Sequence, residues 1–107
     1  MTNTATAFTD IAAEVEIPSD GTLSRVLYKD DAIRLVVFAF DADQELTEHT
    51  ASRPALIQVI RGRLHLTLGD DEVTAAPGSW LRMPARLPHS VRALEPSIML
   101  LTLLPPT

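Results

Sequence analysis

The sequence predicts an all-β domain, a sandwich or barrel of short strands, and three observations carry that reading. From Leu23 onward, strand-length runs rich in β-branched and apolar residues recur at roughly 8–12-residue spacing. Turn formers separate them, namely Asp30-Asp31, Arg53-Pro54, Gly69-Asp70-Asp71, Pro77-Gly78 and Glu95-Pro96. All 8 prolines fall at run ends or turns, where a residue with fixed φ and no amide donor does least harm to a sheet.

Taken in order, residues 1–22 read as an N-terminal arm with a short helix, hinted at by Ile11–Val15, and an edge strand, while residues 23–107 read as the barrel. The expected strands are Ile33–Phe40, Ala55–Arg61, Arg63–Leu68, Glu72–Ala75, Ser79–Met83, His89–Leu94 and Ile98–Leu104. In the third of these, Leu64, Leu66 and Leu68 alternate with Arg63, His65 and Thr67, the pattern of a strand with one wet face. The runs Leu35–Phe40 and Ile98–Leu101 do not alternate, so both their faces need cover. A small two-sheet domain supplies one cover from its own core; the second is expected from a partner subunit, which predicts a homodimer. Outward-facing Trp80 is expected at that interface. Asp41, Asp43, Glu45 and Glu48 crowd together ahead of a barrel strand and read as a solvated loop, with a calcium site as the second choice.

Composition narrows the functional classes. The 107 residues suit one domain, since chains divide only toward roughly 250 residues. With no cysteine, disulfides and thiolate metal sites are excluded, and 46% hydrophobic residues suffice for a core without staples. A net charge of -5 gives no phosphate-binding footprint, so no nucleic-acid partner is expected. The opening MTNTATAFTD lacks the basic and apolar regions of a signal peptide, and no apolar run approaches a bilayer's thickness. No membrane partner and a cytoplasmic location are therefore expected. No glycine-rich phosphate loop or nucleophile elbow is present.

Two segments stand out together: HTASRPALIQVIRG (His49–Gly62) and GSWLRMPARLPH (Gly78–His89). They resemble the two motifs of the cupin superfamily. The first motif there carries a glycine, a His-x-His pair, a glutamate and a closing glycine; the second carries a glycine, a proline, another glycine, a histidine and an asparagine. Gly62, Gly78, Pro84 and His89 occupy motif positions, as does His49. The resemblance runs from about Ile33 to Leu104 and is strongest to small stand-alone bacterial cupins. It implies a jelly-roll cupin barrel, the RmlC-like double-stranded β-helix. In cupins with the full motif set, histidines and a glutamate hold a divalent metal on the inner face. This chain has Asp43, Ala51, Ala55, Arg86 and Ala93 where the motifs have glycine, histidine, glutamate, glycine and asparagine. Of the ligand set it keeps His49 and His89.

Strand parity tests the site independently, because residues two apart share a face. His89, Val91 and Ala93 form one apolar face, as do Ala55, Ile57 and Val59, and Ser79, Leu81 and Met83. Ser90, Arg92, Gln58, Trp80 and Arg82 point the other way, so His89 is expected inside, with His49 and Ala51 beside it. His65 goes with the polar face. The expected ligand pocket is His49, Ala51, Ala55, Ile57, Met83, His89 and Val91, with the two alanines widening an apolar cavity. The leading functional reading is binding of a small organic ligand there, with no cofactor. The alternatives are a divalent transition-metal enzyme of dioxygenase or isomerase type with His49 and His89 as ligands, and a structural dimerisation module. Two imidazoles fall short of the usual ligand count, and a third ligand from Gln44, Glu45 or Gln58 would lack the expected spacing. Arg61, Arg63, Arg82, Arg86 and Arg92 give the barrel a basic side.

Overall fold

The computed structural model describes residues 4–106. After one turn of 3-10 helix at Ile11–Glu14 come the strands β1 (Thr22–Lys29), β2 (Arg34–Phe40), β3 (Glu45–His49), β4 (Ala55–Arg61), β5 (Leu64–Leu68), β6 (Asp71–Ala75), β7 (Trp80–Met83), β8 (His89–Ala93) and β9 (Ser97–Leu103). They form a five-stranded sheet in the order β1-β2-β9-β4-β7 and a four-stranded sheet in the order β3-β8-β5-β6. All the pairings are antiparallel. The all-β jelly roll is thus the fold, and no helix among the described residues is long and apolar enough to cross a membrane.

Alternation explains why the sheets face each other. In β4 the odd-numbered side chains Ala55, Ile57 and Val59 are buried while Gln58 is exposed, and in β8 His89, Val91 and Ala93 are buried while Arg92 is exposed. Ala55, Ile57, Val59, Val91 and Ala93, together with Phe40, Leu64, Leu66, Ala75, Met83 and Met99, make the core between the sheets.

The two-sided apolar runs in β2 and β9 find their second cover within the chain. Val37, Ala39, Ile98 and Leu100 point away from the core and are covered by Ile11, Ala12, Val15 and Ile17 of the N-terminal arm. Arg25 of β1 anchors the arm by donating from Nη1 to the Glu14 carbonyl at 2.8 Å. These runs therefore give no argument for a partner subunit, because the arm supplies the cover that the sequence reading assigned to a second copy. Trp80 remains 61% exposed on the edge strand β7.

Two strands escape the sequence pattern. The edge strand expected within residues 1–22 begins only at Thr22 and belongs to the five-stranded sheet. Glu45 and Glu48, read as part of a solvated loop, lie in β3, an edge strand whose partner is β8. Only Leu46 of β3 is half-buried, so pairing rather than propensity makes this strand. The acidic cluster also disperses: Asp41 accepts from the Asp20 amide at 2.8 Å, and Asp43 faces Arg92 at 3.2 Å. Among the described residues no group of three or more His, Cys, Asp or Glu is placed to hold a metal ion.

Candidate functional site

His49 ends β3 and His89 begins β8, and the two are register partners. Their rings stand 4.1 Å apart between centroids, tilted by 59°. His89 is buried and His49 exposed, so one imidazole forms a wall and the other a rim. Each Nδ1 lies 2.8 Å from the carbonyl two residues earlier, Thr47 for His49 and Leu87 for His89. A carbonyl oxygen only accepts, so each Nδ1 carries the proton. The neutral ring then keeps its lone pair on Nε2. Neither Nε2 has a hydrogen-bond partner among the described residues.

Both rings border a small apolar cavity of ≈ 30 Å³. Leu46 and Val91 of the four-stranded sheet close one side, and Phe38, Ile57, Met83, Met99 and Leu101 of the five-stranded sheet close the other. Of the sequence-predicted pocket residues, His49, Ile57, Met83, His89 and Val91 come together here, and Ala51 and Ala55 do not. Ala51 sits in the β3–β4 connection, where its carbonyl accepts from the Arg86 amide at 2.7 Å. Ala55 is 1% exposed within the core, opposite Met83 on one side and Leu103 on the other. The room expected beside Ala55 is taken by Met83 and Leu103, as dense packing favours. A volume of ≈ 30 Å³ admits about one water-sized group, an order of magnitude below an enclosed drug-sized site.

Phe38, Leu46, Met99 and Leu101 went unrecognised as lining residues. Parity with Phe40 places Phe38 inward, and the register Phe38↔Met99 carries that face into β9. For Leu46 the signal was weak, because its neighbours Glu45, Thr47 and Glu48 conceal the strand. His65 lies outside the pocket, with Nε2 3.0 Å from Glu72.

The motif departures are legible in the backbone. Asp43 and Arg86 stand where the motifs have glycines, and both keep a glycine-like conformation, φ 66 and 65 respectively. The turns are retained, at a cost of about 1 kcal/mol for a side chain in the left-handed region. The ligand set is not retained. Gln58 is exposed, and Glu45 is exposed toward the other end of β3, where its register partner is Arg92. The donor set is two imidazoles without a carboxylate, and these residues do not fit a three- or four-ligand metal centre.

The profile of the cupin domain family matches residues 35–104. Among solved structures, a conserved protein of unknown function, SPY1581 from Streptococcus pyogenes, superposes with TM-score 0.85 at 30% identity, covering 97% of this chain and 91% of its own. An RmlC-like cupin from Desulfovibrio desulfuricans gives 0.84 at 26% identity, with 97% and 100% covered. KdgF from a Halomonas species gives 0.77 at 23% identity, with 91% and 94% covered. No functionally curated protein matches the sequence. The matched family, the facing antiparallel sheets and the two surviving motif histidines agree, and the chain belongs to the cupin domain family.

Proposed function

We propose that this cupin binds a small organic ligand through the His49–His89 pair. The observation that carries the reading is the 2.8 Å contact of each Nδ1 with a carbonyl, which in the neutral ring leaves Nε2 as an acceptor. Carbonyls occupy both Nδ1 atoms, so two Nε2 lone pairs stand beside an apolar cavity as acceptors without a donor. A hydroxyl or amine supplies that donor. The hydrocarbon next to it lies against Ile57, Met83 and Leu101, where its burial contributes about 25 cal/mol per Å². A cavity of ≈ 30 Å³ receives the end of such a molecule, and the remainder lies across the mouth.

The test is native mass spectrometry of untagged protein, with side-chain NMR of the imidazoles during titration by simple alcohols and amines. Binding is expected to perturb both rings. His49→Ala and His89→Ala are each expected to weaken it roughly fivefold to tenfold, the worth of one hydrogen bond of about 1 kcal/mol. Imidazole signals that ignore every probe would overturn the reading. A near-stoichiometric divalent metal in the parent protein, lost in both variants, would replace it with the metal-enzyme alternative.

A further inference from the structure

Arg34 opens β2 and shares its inward parity with Val36, Phe38 and Phe40. Across the sheet it faces Leu103 of β9, and Val36 faces Leu101. Leu101 is a wall of the histidine cavity, so Arg34 stands about 7 Å along the strand from that wall. Arg34 Nε is the one buried side-chain polar atom without a hydrogen-bond partner among the described residues. A guanidinium N–H in that position is costly unless something else supplies an acceptor.

A second guanidinium reaches the same corner. Arg53 donates from Nε to the Leu104 carbonyl at 2.6 Å and from Nη2 to the Ala32 carbonyl at 2.9 Å and the Leu103 carbonyl at 3.4 Å. None of the ion pairs among the described residues includes Arg34 or Arg53. Asp30, in the turn just before β2, is already engaged by the Tyr28 hydroxyl at 2.6 Å and by the Ala32 and Ile33 amides at 2.8 Å. The mouth of the barrel therefore holds two cations and no carboxylate bonded to them.

We propose that Arg34 and Arg53 form a carboxylate subsite, and that the ligand is a small organic acid carrying a hydroxyl or amine at the far end of its chain from the carboxylate. This deepens the reading of the histidine pair and rests on it. The hydroxyl donates its one hydrogen to one Nε2, or the amine donates to both, and the chain crosses Leu101 and Leu103. The carboxylate takes the fork of Arg34, presented by a turn of its long, partly buried side chain. Arg53, pinned by three carbonyls, adds fixed positive charge without moving.

The test compares two probes of equal length, ω-hydroxyhexanoate and hexanediol, by NMR titration of the intact protein, with inorganic phosphate as a third. The hydroxy acid is expected to bind roughly tenfold tighter than the diol, as a charge-assisted hydrogen bond provides. Arg34→Met, which keeps the apolar stem, is expected to abolish that preference by bringing the hydroxy acid's affinity down to about the diol's. Arg34→Lys is expected to restore only part of it, because an ammonium keeps the charge without the fork. Unchanged thermal melting of both variants excludes misfolding. Equal binding of acid and diol with both imidazoles perturbed would overturn the carboxylate subsite and leave the histidine reading standing. No imidazole response to either probe would overturn both. Phosphate that shifts Arg34 while the hydroxy acid does not would overturn the carboxylate assignment.

Discussion

The two ends of this barrel use the same residue types to opposite effect. Where β4 passes to β5 and β8 to β9, Arg63, Arg92 and Ser97 are matched within the chain. Arg63 lies 3.8 Å from Glu95, and Arg92 lies 3.2 Å from Asp43. The buried Ser97 hydroxyl accepts from the Arg63 amide at 3.1 Å and donates to the Glu95 carbonyl at 2.7 Å. At the other end His49 and His89 present bare Nε2 atoms, and Arg34 keeps an unpartnered Nε. Polar groups matched to each other contribute to folding; polar groups left unmatched at a rim are available to a ligand. The difference separates stability from recognition along a single set of strands.

That separation is tested most severely at Gly62. Its φ is +83°, and a Cβ there would fall on the Ser97 hydroxyl and the Pro96 carbonyl and lie 2.7 Å from Ser97 Cα. Gly62→Ala thus combines backbone strain with overpacking against buried backbone, and is expected to cost about 3–5 kcal/mol in urea denaturation. Gly78 is the control: φ is +96°, and nothing lies within 4 Å of its Cβ position, so Gly78→Ala is expected to lose only about 1 kcal/mol of backbone strain. Equal losses in the two variants would show that the packing around Ser97 is not what closes this end.

Ser97→Ala sharpens the comparison with a smaller change. The residue is fully buried, and losing its oxygen leaves the Arg63 amide without that acceptor, for an expected loss of about 1–3 kcal/mol. Imidazole responses to hydroxyl probes at the other end are expected to stay as in the parent. A matching loss of response would mean that the two ends are coupled.

The sequence exposed most of this architecture because two-sided burial leaves a plain signature. Ala55–Arg61 coincides with β4, and the inward parity of His89, Ile57 and Met83 places them around one cavity. The parts that escaped lack such a signature. In β1 the first five residues are exposed, and β3 has one half-buried residue in five, so neither strand alternates in hydrophobicity. Volume was also out of reach: Ala55 is small, and only three dimensions show Met83 and Leu103 beside it. Arg34 looked like an ordinary strand-end cation, since its missing acceptor depends on where Arg53 and Asp30 point.

The smallest expected effect lies in the turn that leads into Arg34. The Tyr28 hydroxyl donates to Asp30 at 2.6 Å. That bond, with the Ile33 and Ala32 amides, holds the Asp30 carboxyl below the usual carboxylate range. The same bond, with burial and the Asp30 charge adding to it, raises the Tyr28 phenol above its ordinary value. A lowered carboxylate stabilises the fold above the unfolded Asp value, and that contribution is lost as pH falls through the folded value. A raised phenol stabilises it below the unfolded Tyr value, and that contribution is lost as pH rises through the folded value. Tyr28→Phe is therefore expected to destabilise slightly at neutral pH, to converge with the parent at the alkaline limit and to close part of the gap in acid. The two amide bonds to Asp30 keep the rest of the acid dependence. Thermal melts of both proteins across the full pH range check this, and a gap that stays constant from acid to alkali would mean the pair is not linked to folding. Because both groups are solvent-accessible, the effect stays small beside Gly62. Its use is positional: a loosened turn that also reduces the hydroxy-acid preference at Arg34 would tie the order of this rim to recognition, while the Ser97 end keeps its stability.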